Sequence, residues 1–374
     1  MSLIESEVNY GRAGSSRAVT LGEYDKRQNC CCESMSGRWP GFSAGVFAFG
    51  FLLVPIAGFS WAAQSAGAGQ STSALEKNQS ENTAANAVTR AAIKNVDFHL
   101  TDRIVVHIDT LSGIMVPSKQ GQIPVFDDKQ SFVFKVDTAN ITLSTAALSN
   151  DLNDYVFAKP GAPLKDLSAS IKGDQLIVKG LLVSKGGVPF ESAGTVSVTP
   201  DGQVRVHTAK VKAVGIPVKG LMDLLGIDTS NLLSTKKVEG VSVDKDDLIL
   251  DPELILPPPQ IRGTLVSIEL KNGAIDLKFD AGRKGPDQPD IATSCGGRNF
   301  VAIKGGTLRF GKLTMNDADI EIVDSQPADP FDFSLDHYVQ QLAAGYAKIT
   351  MKGGLCAHVP DFNKLHRNTK AGPK

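Results

Sequence analysis

Among the side chains able to do acid–base or ligand chemistry, the six histidines (His99, His107, His207, His337, His358 and His366) are spread so that no two fall three or four residues apart. Two imidazoles share one helical face around a metal ion only at that spacing, so the pattern predicts no metal centre. His107 falls on the polar side of an alternating run and is expected to be exposed or hydrogen-bonded. Asp317, Asp319 and Asp324 alternate with apolar residues as the wet face of a strand does, with a calcium site as the alternative reading. The carboxylates between Asp329 and Asp336 are placed at a helix start, where the positive end of the helix dipole favours them. No G-x-S-x-G elbow, Walker loop or dinucleotide fingerprint occurs, and the Gly-Gly pairs at 186, 296, 305 and 353 read as turns. The residues therefore predict no catalysis and no cofactor.

Cysteine chemistry depends on the compartment, which the N-terminal segment addresses. Residues 1–38 have no apolar period and read as a disordered or mis-annotated extension. From Gly41 to Trp61 the chain carries no charge and is long enough to enter a bilayer, followed by small residues through Ala68. Met35-Ser-Gly-Arg38 supplies the short basic start that a secretory signal needs, so residues 39–68 are expected to be a signal peptide or membrane anchor, with Met35 as the start. A cleaved signal would place the new N-terminus between Ala62 and Gly69. Export removes Cys30, Cys31 and Cys32 and leaves Cys295 and Cys356. In an oxidising compartment these two can bond, which constrains the unfolded chain by roughly 4 kcal/mol; two unpaired buried thiols are the alternative.

Lys+Arg 39 against Asp+Glu 40 gives a formal charge of -1, which offers nucleic acid no basic footprint. Aromatics are 6%, and Val, Ile, Leu, Thr and Gly dominate beyond the N-terminal quarter, a composition of strands and tight turns. After a flexible linker at 69–90, a mainly β domain over 91–365 and a loose tail at 366–374 are expected. Ile104, Val106 and Ile108, then Phe132, Phe134 and Val136, show the two-residue period of half-buried strands. Ser144 caps a helix over about Thr145 to Phe157 whose stripe is Leu148, Leu152, Tyr155 and Val156. Hairpin turns follow at Lys172-Gly173-Asp174, Gly186-Gly187 and Thr199-Pro200-Asp201-Gly202. GTLVSIELKNGAIDLKFD at 263–280 and GTLRFGKLTMNDADIEIVD at 306–324 are weakly similar, with 194–206 a shorter variant. Ser334 is expected to cap a second helix carrying Leu335, Val339, Leu342 and Tyr346 on one face, before a last strand at Ala347 to Met351.

The stretch Val211 to Gly263 organises the whole. Leu221, Leu224 and Leu225 lie three and four apart on one side of a short helix, and Leu232 and Leu233 extend that surface past Gly226. Asp251-Pro252 and Pro257-Pro258-Pro259 then mark an exit onto a strand beginning near Ile261. By itself such a leucine face is plain core. Gly215-Ile216-Pro217-Val218-Lys219-Gly220-Leu221, the following Leu224-Leu225 pair, the segment Asp247 to Pro252 and the run Pro258 to Gly263 resemble bacterial LmeA-like phospholipid-binding proteins, which are similar to the tubular lipid-binding superfamily. The resemblance spans about Val96 to Asp280. It implies a long curved antiparallel sheet packed on amphipathic helices, with a groove for acyl chains. Leu221, Leu224, Leu225, Leu232 and Leu233 then become candidates to line that groove. Phospholipid or another acyl lipid and a membrane surface become the expected partners, and an exported, non-catalytic lipid binder or transfer protein of the cell envelope the expected function. A structural or adhesive envelope protein with a sealed core is the alternative, and an envelope hydrolase a third.

Overall fold

The computed structural model describes residues 88–183, 186–214, 238–271, 273–282 and 294–365. The signal or anchor segment, Cys30 to Cys32, His366 and the leucine face from Leu221 to Leu233 lie outside the described residues. Within them the protein is mainly β, with three sheets of eleven, six and two strands and few helices.

The first sheet is founded on three long strands, β1 (Thr89–His99), β2 (Val105–Pro117) and β3 (Phe132–Ser144). Their alternation is real: Ile104, Val106, Ile108, Phe132, Phe134 and Val136 are all buried. Ser144 ends β3 and caps helix α1 (Thr145–Asp151), its hydroxyl accepting from the Ala147 N–H at 3.0 Å. The helix continues into a wider π-turn, Leu152–Val156, closed by the Phe157 N–H donating to the Leu152 carbonyl. The chain then builds the second sheet from β4 (Leu164–Lys172), β5 (Gln175–Leu182), β6 (Val188–Val198), β7 (Val204–Ala213), β8 (Val241–Asp244) and β9 (Asp247–Leu250). All pairs in it are antiparallel, in the order β4-β5-β6-β7-β9-β8, with the expected turns between its first four strands.

Asp251 then caps a four-residue helix, α2 (Pro252–Ile255), which the proline pattern did not foretell. The triple proline delivers β10 (Gln260–Arg262), as its position near Ile261 implied, and the hairpin β11 (Leu265–Lys271) and β12 (Ala274–Asp280) returns to the first sheet. The remaining strands are β13 (Phe300–Lys304), β14 (Thr307–Phe310), β15 (Leu313–Asn316), β16 (Asp319–Asp324) and β17 (Phe331–Ser334). Helix α3 (Tyr338–Ala344), β18 (Tyr346–Ile349) and β19 (Leu355–Val359) complete the order. The large sheet runs β11-β12-β3-β2-β1-β13-β16-β19-β18, with β10 added to β3 and β17 to β1. Most of its pairs are antiparallel, but β10–β3, β17–β1 and β16–β19 are parallel.

Several local expectations are corrected. Ser334 does not cap a helix: it ends β17, its N–H donates to Gln341 Oε1 at 3.0 Å, and α3 begins three residues after the residue that follows it, at Tyr338. The buried face of α3 holds Tyr338 and Gln341, whose amide binds the Asp332 and Pro360 carbonyls, while Val339 is exposed. A buried glutamine on that face is why the apolar period misplaced the helix. The strand drawn at Ala347 to Met351 is β18, and β19 follows it. Asp324 is not on a wet face, because β16 is buried on both sides from Ile320 onward, and Asp332 lies within a buried strand and not at a helix start. The three similar segments also pair differently: β6–β7 belongs to the six-stranded sheet, β11–β12 to the large one, and 306–324 spans β14, β15 and β16.

The two large sheets meet over one hydrophobic core, to which Val106, Ile141 and Leu265 contribute from one and Ala169, Leu176 and Val204 from the other. Gly202, in the β6–β7 turn, has φ 76° and sits so close to β11 that a Cβ there would lie 3.2 Å from the Leu265 nitrogen. Glycine is thus required both by the turn and by the close approach of the two sheets.

Candidate functional site

Helix α1 is the piece that joins the sheets, and its polar residues explain how. β4 is an edge strand, so its outward backbone groups need partners. Ser149 Oγ accepts from the Ala169 N–H at 2.9 Å, while Asn153 accepts from the Leu167 N–H at 2.8 Å and donates to the Leu167 carbonyl at 2.7 Å. On the side of the large sheet, Arg103 donates to Asn150 at 2.9 Å and pairs with Asp154 at 3.0 Å, and Asn150 returns a bond to the Arg103 carbonyl. The helix is pinned from both sides, which fixes the direction of its last residue, Asp151.

Asp151 faces a cavity between the sheets. Among the described residues nineteen line it, and eighteen of these are apolar. The large sheet gives Ile141, Ile268 and Leu277 among others, the smaller sheet gives Val196, Val206 and Leu250, and Pro252, Ile255 and Leu256 line one side. The space in which the centre of a water-sized molecule fits is about 80 Å³, several times the ~10–15 Å³ that one water requires. Val196, Val206, Leu250, Ile268 and Leu277 are only half-buried although they point inward, because the cavity leaves part of their surface without a packing partner.

In this apolar setting Asp151 is 1% exposed and its Oδ1 has no hydrogen-bond partner. Burial, with a smaller contribution from the Asp154 charge, pushes its carboxyl up to about 8. It is therefore a neutral carboxylic acid at neutral pH, with one O–H to donate and oxygens free to accept. Asp151 was not singled out in the sequence, yet a signal existed. It stands three residues after Leu148 and four before Tyr155, on the apolar stripe itself.

The other groups with chemistry are engaged elsewhere. His99 Nε2 lies 2.5 Å from Asp332 Oδ1, and the Asp332 N–H donates to Asp361, which also binds Lys364. Asn299 donates to Asp324 at 3.0 Å and to the Asp329 carbonyl. This network ties β1, β13, β16 and β17 together, and its carboxylates have partners where Asp151 has none. His107, half-buried, holds Asp97 at 2.7 Å, and that bond raises the imidazole above its ordinary value. His207 pairs with Asp247 at 2.6 Å, and His337 reaches Asp102. Asp317, Asp319 and Asp324 do not converge: Asp319 faces Lys304, Asp324 faces Asn299, and Asp317 is a positive-φ turn residue.

Cys295 and Cys356 are bonded to each other, with Cα atoms 5.9 Å apart. Beneath them the buried Glu321 accepts from the Ser294 N–H at 2.7 Å and the Cys295 N–H at 2.9 Å, and meets Lys304 at 3.0 Å. Cys295, Glu321 and Cys356 offer ligand atoms within 4.8 Å of one another, but the disulfide takes both sulfurs. Closing a loop of 61 residues is worth about 4 kcal/mol through the unfolded state. A non-reducing peptide map is expected to show one linked pair, and Cys356→Ser to lower the unfolding free energy by about that amount. Two alkylatable thiols in native protein would contradict the bond.

Leu221, Leu224, Leu225, Leu232 and Leu233 remain outside the described residues. Among those described, no helix is long and apolar enough to cross a membrane. Comparison with protein-family models, with curated proteins and with solved structures finds no match to this chain.

Proposed function

We propose that this chain is a non-catalytic, exported carrier that holds a long apolar chain, such as the acyl chain of a lipid, between its two large sheets. The observation that carries this reading is the cavity that eighteen apolar residues line among those described, and that the side chains of the described residues leave unfilled. The described walls do not suit a polar substrate, because among the described residues one carboxyl alone would replace the water that a hydrophilic molecule gives up. Segments that resemble LmeA-like proteins support the reading, since Leu250, Pro252 and Ile261 from them stand in the cavity wall. The disulfide fits an oxidising compartment outside the cytoplasm. Exposed Tyr346, Ile349 and Met351, interleaved with exposed Lys348 and Lys352, fit contact with a membrane surface.

Titration with the apolar fluorophore N-phenyl-1-naphthylamine is expected to give saturable, blue-shifted emission at one site per chain, displaced by a short-chain phosphatidylcholine. Folded protein that leaves the emission unchanged would point instead to a sealed core and a structural role.

A further inference from the structure

Burying a polar group without a partner opposes folding, and a leucine at position 151 would have completed an all-apolar wall. The carboxyl is nonetheless there, in the cavity wall at the end of a helix held from both sheets by Arg103, Asn150, Ser149 and Asn153, with its Oδ1 buried and unbonded. We propose that Asp151 anchors the polar group of the ligand, so that the cavity takes an amphiphile whose uncharged hydroxyl or carbonyl sits on this carboxyl while its hydrocarbon fills the space between the sheets. This rests on the carrier reading above.

The chemistry selects the head group. A neutral carboxylic acid offers a donor and an acceptor side by side, which matches an alcohol or the carbonyl of an ester. Among the described residues no lysine, arginine or histidine lines the cavity to receive an anionic head. A phosphate or carboxylate brought inside would be an unpaired buried charge, so a charged head must stay outside while an uncharged oxygen nearer the chain reaches Asp151. A cationic amine would ionise the carboxyl and leave a buried ion pair whose desolvation offsets its attraction.

The test is displacement of N-phenyl-1-naphthylamine from the full chain by 1-octanol, n-octane and octylamine, each added from a small volume of ethanol. One neutral hydrogen bond in a dry site predicts that 1-octanol displaces the fluorophore at about tenfold lower concentration than n-octane. Asp151→Leu is expected to erase that preference while keeping n-octane binding. Asp151→Asn, which still donates and accepts, is expected to keep part of it, and provides the reading if the leucine variant does not fold. Equal displacement by octanol and octane in the wild type would overturn the anchor while leaving the apolar site intact. Preference for octylamine over octanol would overturn it in favour of a charged head. Failure of the fluorophore to bind at all would remove the carrier reading and the anchor with it.

Discussion

Asp151→Asn is expected to become progressively more stable than the wild type as pH rises from about 4 to about 8, and to hold a constant advantage above that. The folded-state carboxyl titrates at about 8, against 3.8 when free. Below the unfolded value both states are protonated and the group contributes no pH dependence. Between the two values the unfolded chain ionises and the folded one does not, so wild-type stability falls by about 1.4 kcal/mol per pH unit. The accumulated difference is about 4 kcal/mol at pH 7, and asparagine does not titrate. The groups packed around Asp151 leave this slope assignable. Asp154 is paired with Arg103, Lys165, Asp166 and Lys172 of β4 are exposed, Asp251 caps α2, and Glu253 is held by Arg262. Tyr155, on the same helix, is raised by burial and by neighbouring carboxylates and titrates above this window. Urea unfolding of both proteins at pH 4, 6 and 8 measures the difference. Parallel curves would mean that Asp151 is ionised and solvated in the folded protein.

Val206→Phe is expected to keep the fold and abolish fluorophore binding. Val206 lies on β7 opposite Val196 of β6, and both side chains face the cavity. A phenyl ring there enters space that no side chain of the described residues uses, so the substitution should cost less than the ~1–3 kcal/mol of overpacking a filled core. The same ring removes room from a cavity of about 80 Å³, and occupancy should fall by tenfold or more. Melting temperature and fluorophore titration on one sample check both halves. A folded variant that still binds would move the site away from the space between the sheets. An unfolded variant would show that β7 is already close-packed against its neighbours.

The mainly β fold was legible because strand alternation and turn chemistry are local signals. Ile104 to Ile108, the Ser144 cap and the Thr199 to Gly202 turn each report on residues a few positions away, and each stands as read. The pairing of Cys295 with Cys356 was legible for a different reason, since the expected loss of the N-terminal cysteines with a signal segment would leave one possible intramolecular pair. What failed depended on distant partners. Asp324 and Asp332 look like surface carboxylates until Asn299 and His99 arrive from elsewhere in the chain. Gln341 looks like a surface glutamine until its amide is spent on two buried carbonyls. The division of the strands into two large sheets was equally hidden, because a hairpin signal does not say which sheet the hairpin joins. The cavity follows from that division, so its walls could not be read in advance, although the acid on the apolar stripe of α1 was in view.

The central claim is that the space between the sheets carries a lipid-like chain. Its most direct test is mass spectrometry of an organic extract from protein expressed in a bacterial host and purified without detergent. The account predicts lipid at near-stoichiometric amount in the wild type, bearing an uncharged hydroxyl or ester oxygen near its chain, and loss of that lipid from Val206→Phe. Wild-type protein that is folded, disulfide-bonded and free of extractable lipid, and that takes up none when mixed with vesicles of the host's lipids, would contradict it.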